Sequence, residues 1–337
     1  MKNNFELRVP AGQSKVRLDV YVTAHVENAT RSKVQEAIKS GEITVNGNIV
    51  KPSYLLHPND LIAVHLHRPE PPKIKPEPIP LDIIYEDEYL MVVNKPAGMV
   101  THPAYKHYSG TLVNALMHHS GTLSQLHAKE DEKFNTFRPG IVHRLDKETS
   151  GLLVIAKDET THQQLAKQFA AKTLRQKHAA YAEREYVAIA WGKFKQQSGL
   201  IEAPLGRSKS DRKKVAVVAD GKHAATEYEV VEQFDYLALL RLHLHTGRTH
   251  QIRVHLAHIH HPVFGDGTYG GREIAVGGVT GKKKAEARHL LALMPRQALH
   301  AKKLGFIHPV TKEVMKFDSE LPADMKQVLD EVKRFNR

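Results

Sequence analysis

The chain of 337 residues sets 49 Lys and Arg against 37 Asp and Glu, for a formal net charge of +12, and contains no cysteine. Disulfides, thiolate metal sites and thiol nucleophiles are thereby excluded, and a polyanion is the natural partner of so basic a protein. The start MKNNFELRVPAGQ has no apolar signal core and no run is long and apolar enough to span a bilayer, so a soluble cytoplasmic protein with no membrane partner is expected.

Residues 1–68 read as a small unit of their own. In RLDVYV, Leu18, Tyr21 and Val22 share one side of a short helix. In ATRSKVQEAIKSGEITVNGNIV, Thr30 or Ser32 can cap a second helix whose Val34, Ala37 and Ile38 lie on one face. Gly41 can close it in the left-handed conformation, and Asn46-Gly47 marks a tight hairpin. The exposed side carries Arg17, Arg31, Lys33 and Lys39. RPEPPKIKPEPIP follows and holds six of the 17 prolines, so residues 69–80 read as a stiff, extended linker.

Residues 81–337 mix strands with helices. LDIIYED, YLMVVNKP, LLVIAK, EYVAIAWG, ATEYEVVEQF and LALLRLHLHT have strand-like content, and TLVNALMHHS, TTHQQLAKQFAAK and THQIRVHLAHI have helical spacing. The two kinds do not alternate regularly, which favours an α+β domain around a mixed or antiparallel sheet over a doubly wound parallel one. SQLHAKEDEKFNTF and AVGGVTGKKKAEARHLLALMP read as insertions on that core, and GRSKSDRKKVAV as a basic hairpin, either solvated or touching phosphates.

The densest polar stretch is RPGIVHRLDKETSGLLVIAKD. Asp146 stands at the mouth of a loop that feeds a buried strand, a rigid mount for a carboxylate. On spacing alone it is either that or an Asx-turn former bonding the amides of Glu148 and Thr149. Ser150 lacks the G-x-S-x-G elbow of a serine hydrolase, and Glu148 is the one nearby second acid a glycosidase would need. In EREYVAIAWG, alternation sets Tyr186, Ala188 and Ala190 on one face, leaving room for a flat ligand against the Tyr ring, while Val187, Ile189 and Trp191 face the core. In LHLHTGRTHQIRVHLAHIHHPVFGDGTYG, Arg253 sits beside the apolar stripe Ile252, Leu256 and Ile259, a half-buried guanidinium in need of an anion. The seven histidines of that stretch match no metal-ligand spacing and are read as solvated or phosphate-facing. No phosphate-binding glycine motif occurs, so neither metal nor nucleotide cofactor is expected.

RPGIVHRLDKETSGLLVIAK, EREYVAIAWG and TGRTHQIRVHLAHIHHPVFGD, in that order, resemble the signature motifs of the RluA/RluD family of RNA pseudouridine synthases. YLMVVNKPAGMVTHP is similar to that family's opening segment, and RQALHAKKLGFIHPVTKEVMKFDSELPADM to its closing one. The unit before the linker resembles the S-four-type RNA-binding domain. The resemblance implies isomerisation of uridine in structured RNA without a cofactor. It makes Asp146 the catalytic aspartate, Tyr186 the residue that stacks on the base and acts near carbon 5, and Arg253 the partner that holds Asp146 ionised. His143, Arg144, Thr149, Arg248 and His250 would shape the site and grip RNA, and Arg17, Arg31 and Lys33 would bind RNA from the first unit. Large-subunit ribosomal RNA is the expected substrate, with transfer RNA second, and the protein is expected to be a monomer. A non-catalytic RNA-binding factor would share the basicity but has no need of the trio, and a nucleosidase would release free uracil.

Overall fold

The computed structural model describes residues 2–13, 15–26, 29–67, 74–103, 107–120, 140–170, 182–274 and 281–336. They form two compact units, Met1–Lys73 and Ile74–Arg337.

The first unit contains β1 (Lys2–Arg8), α1 (Leu18–His25), α2 (Arg31–Lys39), β2 (Ile43–Val45) and β3 (Leu61–His67). Its antiparallel sheet has the order β1-β3-β2. The predicted apolar faces are the core: Leu18, Tyr21 and Val22 of α1 and Val34, Ala37 and Ile38 of α2 pack with Ile43, Ile62 and Val64. Gly41, at φ +80°, turns the chain out of α2, as its position implies. Thr30 stands at the N-cap of that helix, but its side chain makes no capping bond. Asn46 and Gly47 are both left-handed, as a tight turn requires. The turn closes only the Val45–Asn48 bridge, however, and the long partner of β2 is the more distant β3. The Asn46 side chain ties the two together, accepting from the Leu61 amide at 2.9 Å and donating to Asp60 at 2.8 Å.

The second unit runs β4 (Ile83–Glu86), β5 (Leu90–Lys95), α3 (Leu112–His119), β6 (Ser150–Ala156), α4 (Glu159–Ala170), β7 (Ala182–Trp191), β8 (Ser198–Glu202), β9 (Leu205–Arg207) and β10 (Val215–Val217). It continues with β11 (Ala225–Gln233), β12 (Leu237–Leu244), α5 (Gln251–His258), α6 (Lys282–Leu293), β13 (Leu299–Ile307), β14 (Val314–Asp318) and α7 (Ala323–Phe335). The main sheet has the order β4-β5-β6-β13-β7-β12-β11-β8, with β14 paired to β13. The β6–β13 pair is parallel and its other pairs are antiparallel, so the mixed α+β architecture expected from the sequence is the one observed. β9 and β10 form the basic hairpin as a separate two-stranded ribbon.

Strand β7 lies inside the sheet between β12 and β13, and residues Glu185–Trp191 are all buried. The open surface expected along Ala188 and Ala190 is therefore covered. Trp191 is locked in place by its indole N–H, which donates to the Gly271 carbonyl at 2.8 Å, and by the rings of Phe264 and Tyr236. A second correction concerns the expected insertion around residues 275–295. Ala287, Leu290 and Leu291 of α6 are buried in the main core beside Val328 and Leu329 of α7, so this helix belongs to the fold. SQLHAKEDEKFNTF and residues 69–73 of the linker lie outside the described residues. Residues 74–80 are extended but tethered: Asn114 of α3 donates to the Lys75 carbonyl at 2.8 Å, and its own carbonyl accepts from the Glu77 amide at 3.0 Å.

Gly151 opens the parallel pairing of β6 with β13. It has φ +117°, and a Cβ there would fall 2.2 Å from the Ala301 carbonyl oxygen. No L side chain fits that contact without moving a central strand. Gly151→Ala is expected to destabilise the second unit by at least ~2 kcal/mol, seen as a lower midpoint in urea unfolding followed by Trp191 fluorescence.

Candidate active site

The loop that carries Asp146 is held almost entirely through its backbone. Thr101 donates to the Leu145 carbonyl at 2.8 Å. Lys147 offers its carbonyl to the Gly98 amide at 2.9 Å and to the buried Lys95 ammonium at 3.2 Å. Lys95 also donates to the carbonyls of Pro96 and Met99, which fixes NKPAGM as a bracket under the loop. From the other side Arg296 donates to the Glu148 carbonyl at 3.1 Å, and Gln297 to the Thr149 hydroxyl at 3.0 Å. The Thr149 amide closes the turn on the Asp146 carbonyl, not on its carboxylate. The two readings of Asp146 are thus separated: the backbone makes the turn, and the side chain is left for other work.

That side chain meets Arg253, whose Nη1 donates to Asp146 Oδ2 at 3.0 Å. Arg253 is buried and also makes a two-pronged pair with Asp266, Nε to Oδ2 at 2.6 Å and Nη2 to Oδ1 at 2.9 Å. Asp266 is fully buried, and its Oδ1 also accepts from the amides of Thr268 and Tyr269. Burial pulls the Arg253 pKa down, but Asp266 and then Asp146 outweigh it and hold it above the ordinary guanidinium range. The Tyr269 ring covers the guanidinium, 4.9 Å from Cζ, and its hydroxyl bonds His250 Nδ1 at 2.7 Å. His250 caps α5 in the left-handed conformation, φ +56°, with Nε2 3.9 Å from Asp146 Oδ1. Gln251 locks this helix start: it accepts from Thr246 and the Arg248 amide, and donates to Thr226 and the Ala225 carbonyl.

Asp146, Arg253 and Tyr186 line one cavity of about 480 Å³. Its walls come from the Asp146 loop, α4, β7 and the start of α5, and Asp146 is the only carboxylate among its described lining residues. Burial, opposed by Arg184 and reinforced by Asp146, pushes the Tyr186 phenol up to about 12, so it stays protonated at neutral pH.

The remaining site candidates divide by environment. His143 lines the cavity, but it stacks on Phe169 with ring centres 4.6 Å apart, and its Nε2 accepts from the Val154 amide. Burial, with Arg184 adding to it, drives its pKa down to about 3, so it is a neutral part of the wall. Thr149 is buried and bonded to Gln297, which makes it a support of the loop. Arg144 and Arg248 are exposed at the cavity. Two of the histidines read as solvated or phosphate-facing turn inward instead: His255 bonds Thr226 and the Ala203 carbonyl, and His261 bonds the Trp191 carbonyl while stacked on Phe194. Among the described residues no His, Asp and Glu cluster could hold a metal ion.

In the first unit, Arg17 and Arg31 converge on Asp19, each within 3.0 Å of a carboxylate oxygen, and Gln35 adds a bond at 2.6 Å. Arg17 does most to hold the Asp19 carboxyl well below the usual range; Gln35 and Arg31 add to it against the opposing effect of burial. Both arginines keep much of their surface in water, and Lys33 is exposed beside them.

Asp266, Tyr269 and Lys95 were not read as site residues from the sequence. The signal for Asp266 was present: an arginine that needs an anion stands upstream of the one acid in VFGDGTYG.

The family description "RNA pseudouridylate synthase" matches residues 89–258, and an S4 domain matches residues 16–62. An uncharacterized RNA pseudouridine synthase of Chlorobaculum parvum is 47% identical over 97% of each chain. Ribosomal large subunit pseudouridine synthase D of Zymomonas mobilis is 42% identical over 92% of each. The solved structure of human RNA pseudouridylate synthase domain containing 4 superposes with a TM-score of 0.51 at 23% identity, covering 74% of this chain and 92% of that one, and shares the fold. The chain therefore belongs to the RNA pseudouridine synthase family, with an S4 domain ahead of the synthase domain.

Replacing Asp266 with Asn removes one charge of the buried pair while keeping the shape. Asp266→Asn is expected to cost about 3 kcal/mol of stability and to lower turnover, because Arg253 is then free to swing away from Asp146. Paired calorimetry and kinetics of the variant would show both losses together.

Proposed function

We propose that this enzyme isomerises uridines of large-subunit ribosomal RNA, with Asp146, Tyr186 and Arg253 carrying the reaction. The observation that supports this most is the state of the Asp146 side chain: it is spared by its own turn, held by Arg253 and presented to a pocket shared with Tyr186. The ribosomal target rests on the names of relatives such as that of Zymomonas mobilis, and on an S4 domain that adds a second, tethered RNA contact. The chain acts as a monomer in the cytoplasm and needs no cofactor; no described helix is long and apolar enough to cross a membrane.

The reaction breaks the bond from N1 of uracil to C1′ of ribose, turns the base and joins its carbon 5 to C1′; the carbon 5 proton then leaves to solvent and N1 takes up a proton, so that the product is an isomer of uridine. The target uridine leaves its stack and enters the pocket, a cost of a few kcal/mol (~3) offset by phosphate contacts and by packing on Tyr186. Asp146 acts at the ribose, as nucleophile on C1′ or as base for the 2′ proton. Both routes demand a carboxylate fixed in position, and the Arg253 guanidinium, itself oriented by Asp266, holds it there. Tyr186, kept as a neutral phenol, can donate a hydrogen bond to the turning base or pass its proton on, but is no standing phenolate. Glu148 is not among the described lining residues, and none of those that are is a second acid of the kind glycoside hydrolysis uses.

The deciding experiment maps pseudouridines by carbodiimide-stopped primer extension on cellular RNA with and without this protein. New stops are expected in large-subunit ribosomal RNA and none with Asp146→Asn, which should still bind the RNA. Stops confined to transfer RNA would move the target, and free uracil as product would replace isomerisation by hydrolysis. Tyr186→Phe is expected to fold and bind normally yet release tritium from carbon-5-labelled uridine RNA at least about tenfold more slowly. A parental rate of release would remove the hydroxyl from the chemistry.

A further inference from the structure

Arg184 has no part in the trio, yet it faces the same cavity. It precedes Tyr186 by two residues on β7, so alternation puts both on one face, and both line the pocket. Its guanidinium lies over the Phe169 ring, with Cζ 5.7 Å from the ring centre. Gly247 makes the space for it: a Cβ there would fall 2.8 Å from Nη1. Arg253 and Arg296 each have a carboxylate partner, but among the described residues no carboxylate approaches Arg184 and its shielded Nε has no hydrogen-bond partner. Burial without an anion lowers its pKa. A half-buried guanidinium with no described counter-ion, facing a cavity, is a group that an anionic ligand would complete.

The substrate brings such an anion. Every nucleotide carries a phosphate on each side of its ribose, and the reaction has a stage at which the ribose no longer holds the base. Packing on Tyr186 can retain the detached uracil, but the ribose must then be gripped by a group that does not act through the base. We propose that Arg184 is the phosphate anchor of the target nucleotide, binding a phosphodiester next to the uridine and keeping C1′ before Asp146 while the base turns. This rests on the reading that the pocket receives a flipped uridine. Arg184 touches no reacting atom and is a positioning residue. Its contact is made alike with substrate and transition state, so it acts on KM more than on kcat.

The test uses the full-length protein, Arg184→Met, Arg184→Lys, and RNA oligomers whose target uridine is flanked on its 5′ or its 3′ side by one uncharged methylphosphonate. Arg184→Met is expected to keep or raise the melting temperature, because an unpaired charge is gone. It should raise KM and the dissociation constant by about 10–100-fold, leave kcat within about threefold, and be partly rescued by Arg184→Lys. At one of the two positions the methylphosphonate should cost the parent a similar factor and cost Arg184→Met nothing further. Losses that multiply at both positions would overturn the proposal, as would a lowered melting temperature with unchanged RNA affinity. The binding cycle is read by fluorescence polarisation and needs no turnover. If the parent released no tritium from any oligomer, the isomerase reading would fail on that count while the cycle still decided the role of Arg184.

Discussion

The second unit is organised around one guanidinium held between two carboxylates. Arg253 spends its Nε and Nη2 on Asp266, deep in the core, and extends Nη1 to Asp146 at the cavity. The inner pair fixes the plane of the guanidinium, and a fixed plane allows the outer contact to define where the Asp146 carboxylate points. Tyr269 covers the arginine, and through His250 and the Val215 amide it links the start of α5 and the basic hairpin to the same point. Asp146 is the one carboxylate among the described residues lining the cavity, and its neighbours hold it still and accessible.

The loop that presents Asp146 shows how a short sequence is made rigid without secondary structure. Its carbonyls at Leu145, Lys147 and Glu148 accept from Thr101, Lys95 and Arg296, donors from both sides of the loop in the sequence. A carboxylate on such a mount pays little entropy to be in place when substrate arrives. The same economy appears in the first unit, where buried Asp19 holds Arg17 and Arg31 as a preset pair of exposed cations.

Local pattern carried far in this sequence where one face of an element meets water. Val34, Ala37 and Ile38, the Gly41 stop and the Asn46-Gly47 turn are where spacing and turn chemistry put them. Pattern failed where both faces are covered. On β7 alternation loses its meaning because β12 and β13 flank the strand and layers close over it, so Ala188 and Ala190 are as buried as Ile189. It failed again at α6, whose charged start hides an apolar face packed beside α7. Asp146, Tyr186 and Arg253 stand out through their motifs and line one cavity, and the acid that Arg253 needs lies 13 residues on in the same stretch, but Lys95 acts through a contact 52 residues distant in sequence, which no local window contains. His143 does reach the cavity that Asp146 faces, and its stacking on Phe169 makes it a neutral part of the wall, which its place in the sequence does not show.

The position of β13 has a consequence for biosynthesis. This strand, Leu299–Ile307, lies between β6 and β7, and Arg296 and Gln297 just before it clamp the Asp146 loop. A ribosome making this chain must polymerise some three hundred residues before the centre of the sheet can be filled. Until then β6 and β7 have nothing between them, and the Asp146 loop lacks two of its anchors. The nascent protein is therefore exposed to mispairing of open strand edges until that strand arrives. The centre of the sheet and two anchors of the Asp146 loop are thus supplied by the last tenth or so of the chain to be made.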